Sequence, residues 1–356
     1  MNYIGSKVTL LPFIAQTIGE VVGKTPDSFA DIFAGTGSVG SYYRALGAEV
    51  IANDLQYYSY VLNKHIIEGG NSCSFDKLLS SKESVDLAAG DLFSDSLSIV
   101  QNYINSMQGV EGFVYKNYSK GGTQSDEITR MYFTDSNAKK CDAIRLYIEQ
   151  LYSSAKISDE EYFYLLSSLL YSVDKVANTA SVYGAFLKNF KKSAQKEFEY
   201  RLTKLGAGMP KGRAYNMDAN SLIKDIEGEV LYLDPPYNHR QYAANYHMLE
   251  TIAKYDNPEI RGVSGLRDYS EQKSSYCSKN EAVESFAELI ENAKFKYIFM
   301  SYNNEGIISL EDIEKIMGSK GDYFRVTKEY QRYKADNNRD YKDNKTLEYI
   351  HILKVK

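Results

Sequence analysis

Residues 28–54 alternate in an order that few folds accommodate. "SFADIF" (28–33) is an apolar run that stops at glycines, "SVGSYYRALG" has helical spacing and closes at Gly47, and "AEVIAND" (48–54) is a second apolar run ending in Asp54. Strand, glycine loop, helix, strand is the opening of a parallel sheet, because parallel neighbours need a crossover connection. A further helix, "LQYYSYVLNKHIIEGG", closes at Gly69-Gly70. Between 71 and 212 the alternation fails and the spacing becomes mostly helical. "SDEEYFYLLSSLLYSVDKVAN" (158–178) opens with a capping box from Ser158 to Glu161. Alternation resumes with "RAYNMD" (213–218), "GEVLYLD" (228–234) and "KYIFMSYN" (296–303), with helices near 245–254, 281–293 and 309–318. Two closing strands, 322–330 and 346–355, read as antiparallel. The expected architecture is a doubly wound α/β, Rossmann-like sheet built from 1–70 and 213–356, interrupted by a mostly helical insert over 71–212.

Composition narrows the function classes. The net charge of −5 argues against a protein that coats nucleic acid without regard to sequence, and leaves room for a local basic groove. No apolar run approaches the roughly 20 residues of a membrane helix. The stretch "MNYIGSKVTLLPFI" lacks the parts of a signal peptide, so a cytoplasmic protein without a membrane partner is expected. Cys73, Cys141 and Cys277 are scattered, and His65, His239, His247 and His351 have no ligand spacing. Neither a disulfide framework nor a metal site is expected.

The loop "DIFAGTGSVG" (31–40) has Gly35-x-Gly37-x-x-Gly40 between strand and helix, and Asp54 ends the next strand. Glycines admit a ligand close to the backbone, and an acid at that strand end reaches ribose hydroxyls. This specifies a nucleoside-containing cofactor and leaves NAD(P), FAD and adenosylmethionine open. Asp31 tilts the choice: a carboxylate there opposes a pyrophosphate and suits a cofactor with a cationic amino-acid moiety. In "NYIGSK", Tyr3, Gly5 and Lys7 precede a helix, where the lysine could grip a carboxylate.

In "EVLYLDPPYNHRQY" (229–242) a buried-looking strand delivers Asp234 onto Pro235-Pro236-Tyr237. The prolines remove backbone freedom. Two fixed acceptors, the Asp234 side chain and the Pro235 carbonyl, can take both hydrogens of an exocyclic amine, while Tyr237 stacks on the base that bears it. Such a base must leave its helix. Held so, the amine nitrogen turns its lone pair toward an electrophile, and developing positive charge is stabilised.

With these motifs the chain resembles the adenine-N6 DNA methyltransferases, in the class whose order runs amino-terminal cofactor motif, glycine motif, target-recognition region, then DPPY. "YIGSK" is similar to the first cofactor motif, "DIFAGTGSVG" to D-x-F-x-G-x-G, and "NMDA" (216–219) to the segment that contacts the cofactor adenine. "NYSKGGTQSDEITRMYFTDSNAKKCDAIR" (117–145) and "VYGAFLKNF" (182–190) resemble segments of the same class. Tyr3 and Ser6 stand where relatives often carry Trp and a second glycine.

The resemblance implies that Tyr3, Lys7, Asp31, Phe33, Gly35, Gly37, Asp54, Asp218, Ala219 and Asp234 line an S-adenosylmethionine pocket. It implies that Asp234, Pro235, Pro236 and Tyr237 are catalytic and hold a flipped adenine, with 238–247 as a mobile loop over the base. The insert becomes a target-recognition subdomain for double-stranded DNA, and its basic stretch, with Lys188, Lys191 and Lys192, together with Arg240 contacts phosphate. A cognate restriction endonuclease would be a companion. A cofactor-bound DNA-binding regulator without catalysis, and a methyltransferase acting on RNA, are the other readings.

Overall fold

The computed structural model describes residues 3–69, 73–80, 95–206, 208–331 and 345–356. The chain divides into two compact units. One is drawn from Gly5–Asn63, Met209–Ala243 and Tyr269–Lys356, the other from Met1–Ile4, Lys64–Gly208 and Ala244–Asp268. Gly70, where the sequence ends its second helix and its first segment, lies outside the described residues.

The first unit is built on a seven-stranded sheet. Its strands are β1 (Ser28–Asp31), β2 (Glu49–Asn53), β3 (Arg213–Tyr215), β4 (Glu227–Leu233), β7 (Lys294–Asn303), β8 (Gly321–Gln331) and β9 (Lys345–Val355); β5 (Ile260–Arg261) and β6 (Leu266–Arg267) form a separate ribbon in the other unit. The order is β3-β2-β1-β4-β7-β9-β8. The first five strands run parallel, while β9 is antiparallel to both β7 and β8. The sheet is therefore mixed and mostly parallel. The chain leaves β1 in one direction and returns at β4 in the other, so the β1/β4 boundary is the switch point where such sheets open a crevice.

Alternation of side chains divides the sheet faces. Ala30, Ile32, Leu231, Leu233, Ile298, Met300 and Leu353 pack into one core with Phe286, Leu289 and Ile290 of helix Ala282–Asn292 and Ile313 and Met317 of helix Leu310–Gly318. The opposite face holds Phe29, whose ring stacks on Tyr43 of helix Ser38–Ala45 at 4.0 Å. Asp31 and Tyr232 share this second face with Ser301, because Tyr232 Oη and Ser301 Oγ lie 2.7 Å apart.

The second unit is mostly helical. Thr134 caps helix Asp135–Ser153 by accepting from Asn137 N–H, and Ser158 with Glu161 forms the capping box of helix Asp159–Val176. The sequence pattern does not signal that residues 244–268 join this unit. Buried polar contacts explain it. The guanidinium of Arg145 donates to the carbonyls of Ile252 and Ala253, at the end of helix His247–Lys254. His247 Nε2 donates to the Tyr183 carbonyl at 2.8 Å, and the Tyr118 hydroxyl donates to Gly265 O at 2.9 Å. Burying a guanidinium is tolerable only when its donors are satisfied, and these carbonyls satisfy it. Among the described residues no helix is long and apolar enough to cross a membrane.

Candidate active site

The turn after β1 is set by two glycines in left-handed backbone, Gly35 at φ 52° and Gly37 at φ 74°. Side chains rarely adopt that conformation, so glycine is required for the tight turn into helix Ser38–Ala45. The turn is tied to the next strand. Gly35 N–H donates to Asp54 Oδ2 at 2.8 Å, and Gln56 N–H donates to Asp54 Oδ1 at 2.9 Å. Asp54 thus holds the glycine turn and stays half-exposed beside it. The segment 216–219 is anchored to the same strand end: Asn216 Nδ2 donates to the Asp54 and Leu55 carbonyls, and Met217 N–H to Asn53 Oδ1. Asp218 is exposed and caps the following turn through Ser221 N–H, whereas Ala219 is buried in the core. Phe33 meets Tyr276 edge-on at 5.1 Å.

Asp31 is the anomaly of the crevice. It is 2% exposed, and its Oδ1 is buried without a hydrogen-bond partner. Burial raises its carboxyl well above the usual range, the negative charges of Asp234 and Asp54 raise it further, and a backbone hydrogen bond from Phe33 and the nearby Lys7 only partly oppose this. An orphaned buried carboxylate is costly, so this atom fits a cationic ligand group.

Asp234 follows β4 directly and is paired. Lys7 Nζ lies 2.8 Å from Asp234 Oδ1, with the two side chains 8% and 17% exposed. A lone lysine near an N-terminus is most often solvated, yet Lys7 is turned inward onto an acid of its own chain. Burial works against its charge, but Asp234 with Glu348 outweighs burial and holds the ammonium above its ordinary range. Burial also raises the Asp234 carboxyl, against the pull of Lys7. One oxygen of Asp234 thus serves Lys7. Pro235 is buried beneath it. Tyr237 is half-buried against the core, and its carbonyl accepts from Ile307 N–H at 3.1 Å.

The sequence expectations meet the structure unevenly. Lys7, Asp31, Phe33, Gly35, Gly37, Asp54, Asp218, Ala219, Asp234, Pro235, Pro236 and Tyr237 all lie in the sheet-bearing unit. Tyr3 belongs to the helical unit, where its ring stacks on Tyr246 at 4.7 Å and the adjacent Ile4 N–H donates to Tyr246 Oη. The start of the stretch expected to be mobile is pinned. Gln241 exchanges side-chain hydrogen bonds with the backbone of Ser274, His239 Nδ1 donates to Cys277 O at 3.1 Å, and Cys277 Sγ approaches Arg240 O at 3.5 Å. Arg240 itself projects exposed. In the helical unit Lys188 and Lys192 are exposed, whereas Lys191 Nζ donates to Thr179 O at 2.7 Å and serves the fold. Gly306, Ile307 and Glu348 carry no local signal in the sequence. Among the described residues no group of three or more His, Cys, Asp or Glu side chains is arranged to hold a metal ion.

Comparison with known proteins agrees with the geometry. A family model described as D12 class N6 adenine-specific DNA methyltransferase matches residues 3–316. The chain is 45% identical to the Type II methyltransferase M.NlaIII of Neisseria lactamica over 99% of both chains. It is 39% identical to the Type II methyltransferase M.FokI of Planomicrobium okeanokoites, over 96% of this chain and 50% of that one. It is 37% identical to the Type II methyltransferase M.CviAII of Paramecium bursaria Chlorella virus 1, over 94% of this chain and 93% of that one.

Proposed function

The chain belongs to the D12 class of N6 adenine-specific DNA methyltransferases, and from that membership we propose that its methyl donor is S-adenosylmethionine and its acceptor an adenine extruded from double-stranded DNA. The observation that carries this reading is Asp234, fixed at the end of β4 on buried Pro235 and set at the switch point beside the orphaned Asp31. Asp31 Oδ1, buried without a hydrogen-bond partner, would hold the cofactor's ammonium group. The glycine turn gives the cofactor close approach to the backbone. Asp54, at the strand end beside the glycine turn, would accept from ribose hydroxyls, and the Asp218–Ala219 segment would border the cofactor adenine. The cofactor supplies an electrophilic methyl group.

At the other side of the crevice, Asp234 Oδ2 and the Pro235 carbonyl accept the two hydrogens of the target amine. Tyr237, held by its carbonyl to Ile307, gives the base a ring to stack on. Fixed acceptors act on the transition state, because they are already oriented toward the nitrogen that becomes positive. Bringing nitrogen and methyl into line supplies much of the remaining rate. No covalent enzyme intermediate is required. Lys188, Lys192 and Arg240 contact phosphate, and the helical unit reads the target sequence. The relatives being Type II methyltransferases, the chain would protect one DNA sequence from a companion endonuclease, within the cytoplasm.

The test is methyl transfer from labelled S-adenosylmethionine to double-stranded DNA, followed by digestion to nucleosides. Label is expected in N6-methyladenine, and Asp234→Ala should retain cofactor binding while losing at least about a thousandfold in transfer, the scale of losing an oriented acceptor in a closed site. Label confined to cytosine, or to RNA alone, would overturn the reading, and undiminished turnover by Asp234→Ala would remove the role given to that residue.

A further inference from the structure

The pairing of Lys7 with Asp234 raises a difficulty for the reaction. An ammonium and a carboxylate 2.8 Å apart carry no net charge between them. Such a pair is a poor partner for an amine whose nitrogen turns positive as its lone pair forms the new N–C bond and the S–C bond of the donor breaks. Something further must keep this end of the crevice negative.

The sheet supplies it. β9 runs antiparallel to β7, so its first residues lie level with the ends of the parallel strands, where the crevice opens. Glu348 pairs in register with Asn303, the last residue of β7. Counting in twos from Ser301 puts Asn303, and from it Glu348, on the face that carries Tyr232 and Asp31. Asp234, two residues beyond Tyr232, continues the same face. Glu348 is half-buried there rather than pointing to solvent. Its field reaches Lys7, Asp234, Tyr237 and Tyr232, four groups that arrive from the N-terminal segment and from β4. Lys7 and Asp234 form the tight pair, and Glu348 lies on the same face of the sheet. Burial and the neighbouring Asp234 raise the Glu348 carboxyl, and Lys7 offsets part of that rise.

We propose that Glu348 is a positioning residue for methyl transfer: from the same face of the sheet its charge acts on Lys7 and leaves the Asp234–Lys7–Glu348 group with one net negative charge. The idea rests on the adenine-methyltransferase reading given above. In a site that excludes water one added charge acts strongly on a neighbouring cation. With the negative charge retained, Asp234 Oδ2 receives the amine as a carboxylate oxygen of a negative cluster. Without it, Asp234 is a neutralised half of an ion pair.

The experiment is a double-mutant cycle read by the single-turnover rate of adenine methylation at saturating S-adenosylmethionine and DNA. Glu348→Gln keeps the shape of the side chain and removes its charge. In the wild-type background it should lower the rate about tenfold, with the cofactor dissociation constant unchanged within about twofold, and Glu348→Asp should recover most of the loss. In a Lys7→Met background Glu348→Gln should cause no further loss, because a cluster without the ammonium no longer needs a second carboxylate. An unchanged rate in the wild-type background would overturn the proposal. So would an equal loss in both backgrounds, which is the signature of a residue that only supports the strand. Absence of adenine methylation by the wild-type protein in the same assay would instead remove the function on which the proposal stands.

Discussion

Asp31 costs the free protein stability. Its folded-state carboxyl is raised above the usual range, first by burial and then by Asp234. A raised carboxyl favours the fold fully only below its unfolded value, and that advantage is lost as pH rises through the folded value. At neutral pH and above, Asp31→Asn should therefore melt higher than the wild type, with the difference shrinking on acidification. The same variant should bind S-adenosylmethionine at least about tenfold more weakly, the cost of removing one charge-assisted hydrogen bond. Melting curves across pH, with calorimetric titration of the cofactor, check both halves; a variant that melts lower at every pH would refute the assignment. Asp31 and Asp234 stood out in the sequence because one lies inside the end of an apolar run before glycines and the other ends an apolar run at prolines, a purely local signal. The pairing of Lys7 with Asp234 was not, since it joins residues that only the folded sheet brings within reach.

Short connecting elements decide how well the acceptors are held. The turn after β7 is one of these. A Cβ on Gly306 would meet the Tyr302 ring at 2.0 Å, and that ring is 1% exposed with its hydroxyl accepting from Ile308 N–H. The ring cannot yield, so the turn must. Gly306→Ala should cost about 1–3 kcal/mol of stability by overpacking and draw Ile307 N–H away from the Tyr237 carbonyl. Methyl transfer should fall about tenfold, a loss of some 1.4 kcal/mol in the transition state, with cofactor affinity held. Rates and affinity measured side by side test this, and a loss of affinity equal to the loss of rate would count against it. The strands of the large sheet and helix Asp159–Val176 were legible to within a few residues because their periodicities are strong; β9 extends one residue beyond its expected start, at Lys345, and the helix before Gly47 is as the spacing implies, whereas the bounds of helix Asp135–Ser153 were not. The place of 244–268 was hidden, because it depends on carbonyls taken by Arg145, and no periodicity records which guanidinium a carbonyl will meet. Glu348 was hidden for a related reason: an alternating strand shows that it has two faces, and only its neighbour shows which one is the crevice.

Over the whole molecule the charge is −5, so attraction to a polyanion has to be local. Each phosphate neutralised by a basic side chain contributes about 0.9 to the slope of log affinity against log salt. Lys188→Gln and Lys192→Gln, both exposed, should each lower that slope by about this amount and weaken binding to all DNA sequences alike. Lys191→Gln should leave the slope in place and lower the melting temperature, because its ammonium serves the Thr179 carbonyl. Titrations of one duplex at several salt concentrations separate the two behaviours, and a slope unaffected by the exposed lysines would move the phosphate contacts elsewhere. The order of the strands has a further consequence, which concerns synthesis. β9 lies between β7 and β8, and it is the last of the three to leave the ribosome. Until it emerges, β7 has no partner strand on that side and the residue paired with Asn303, Glu348, is absent. A nascent chain that has released β7 and β8 still lacks the strand that joins them, so closure of this edge of the sheet waits for β9.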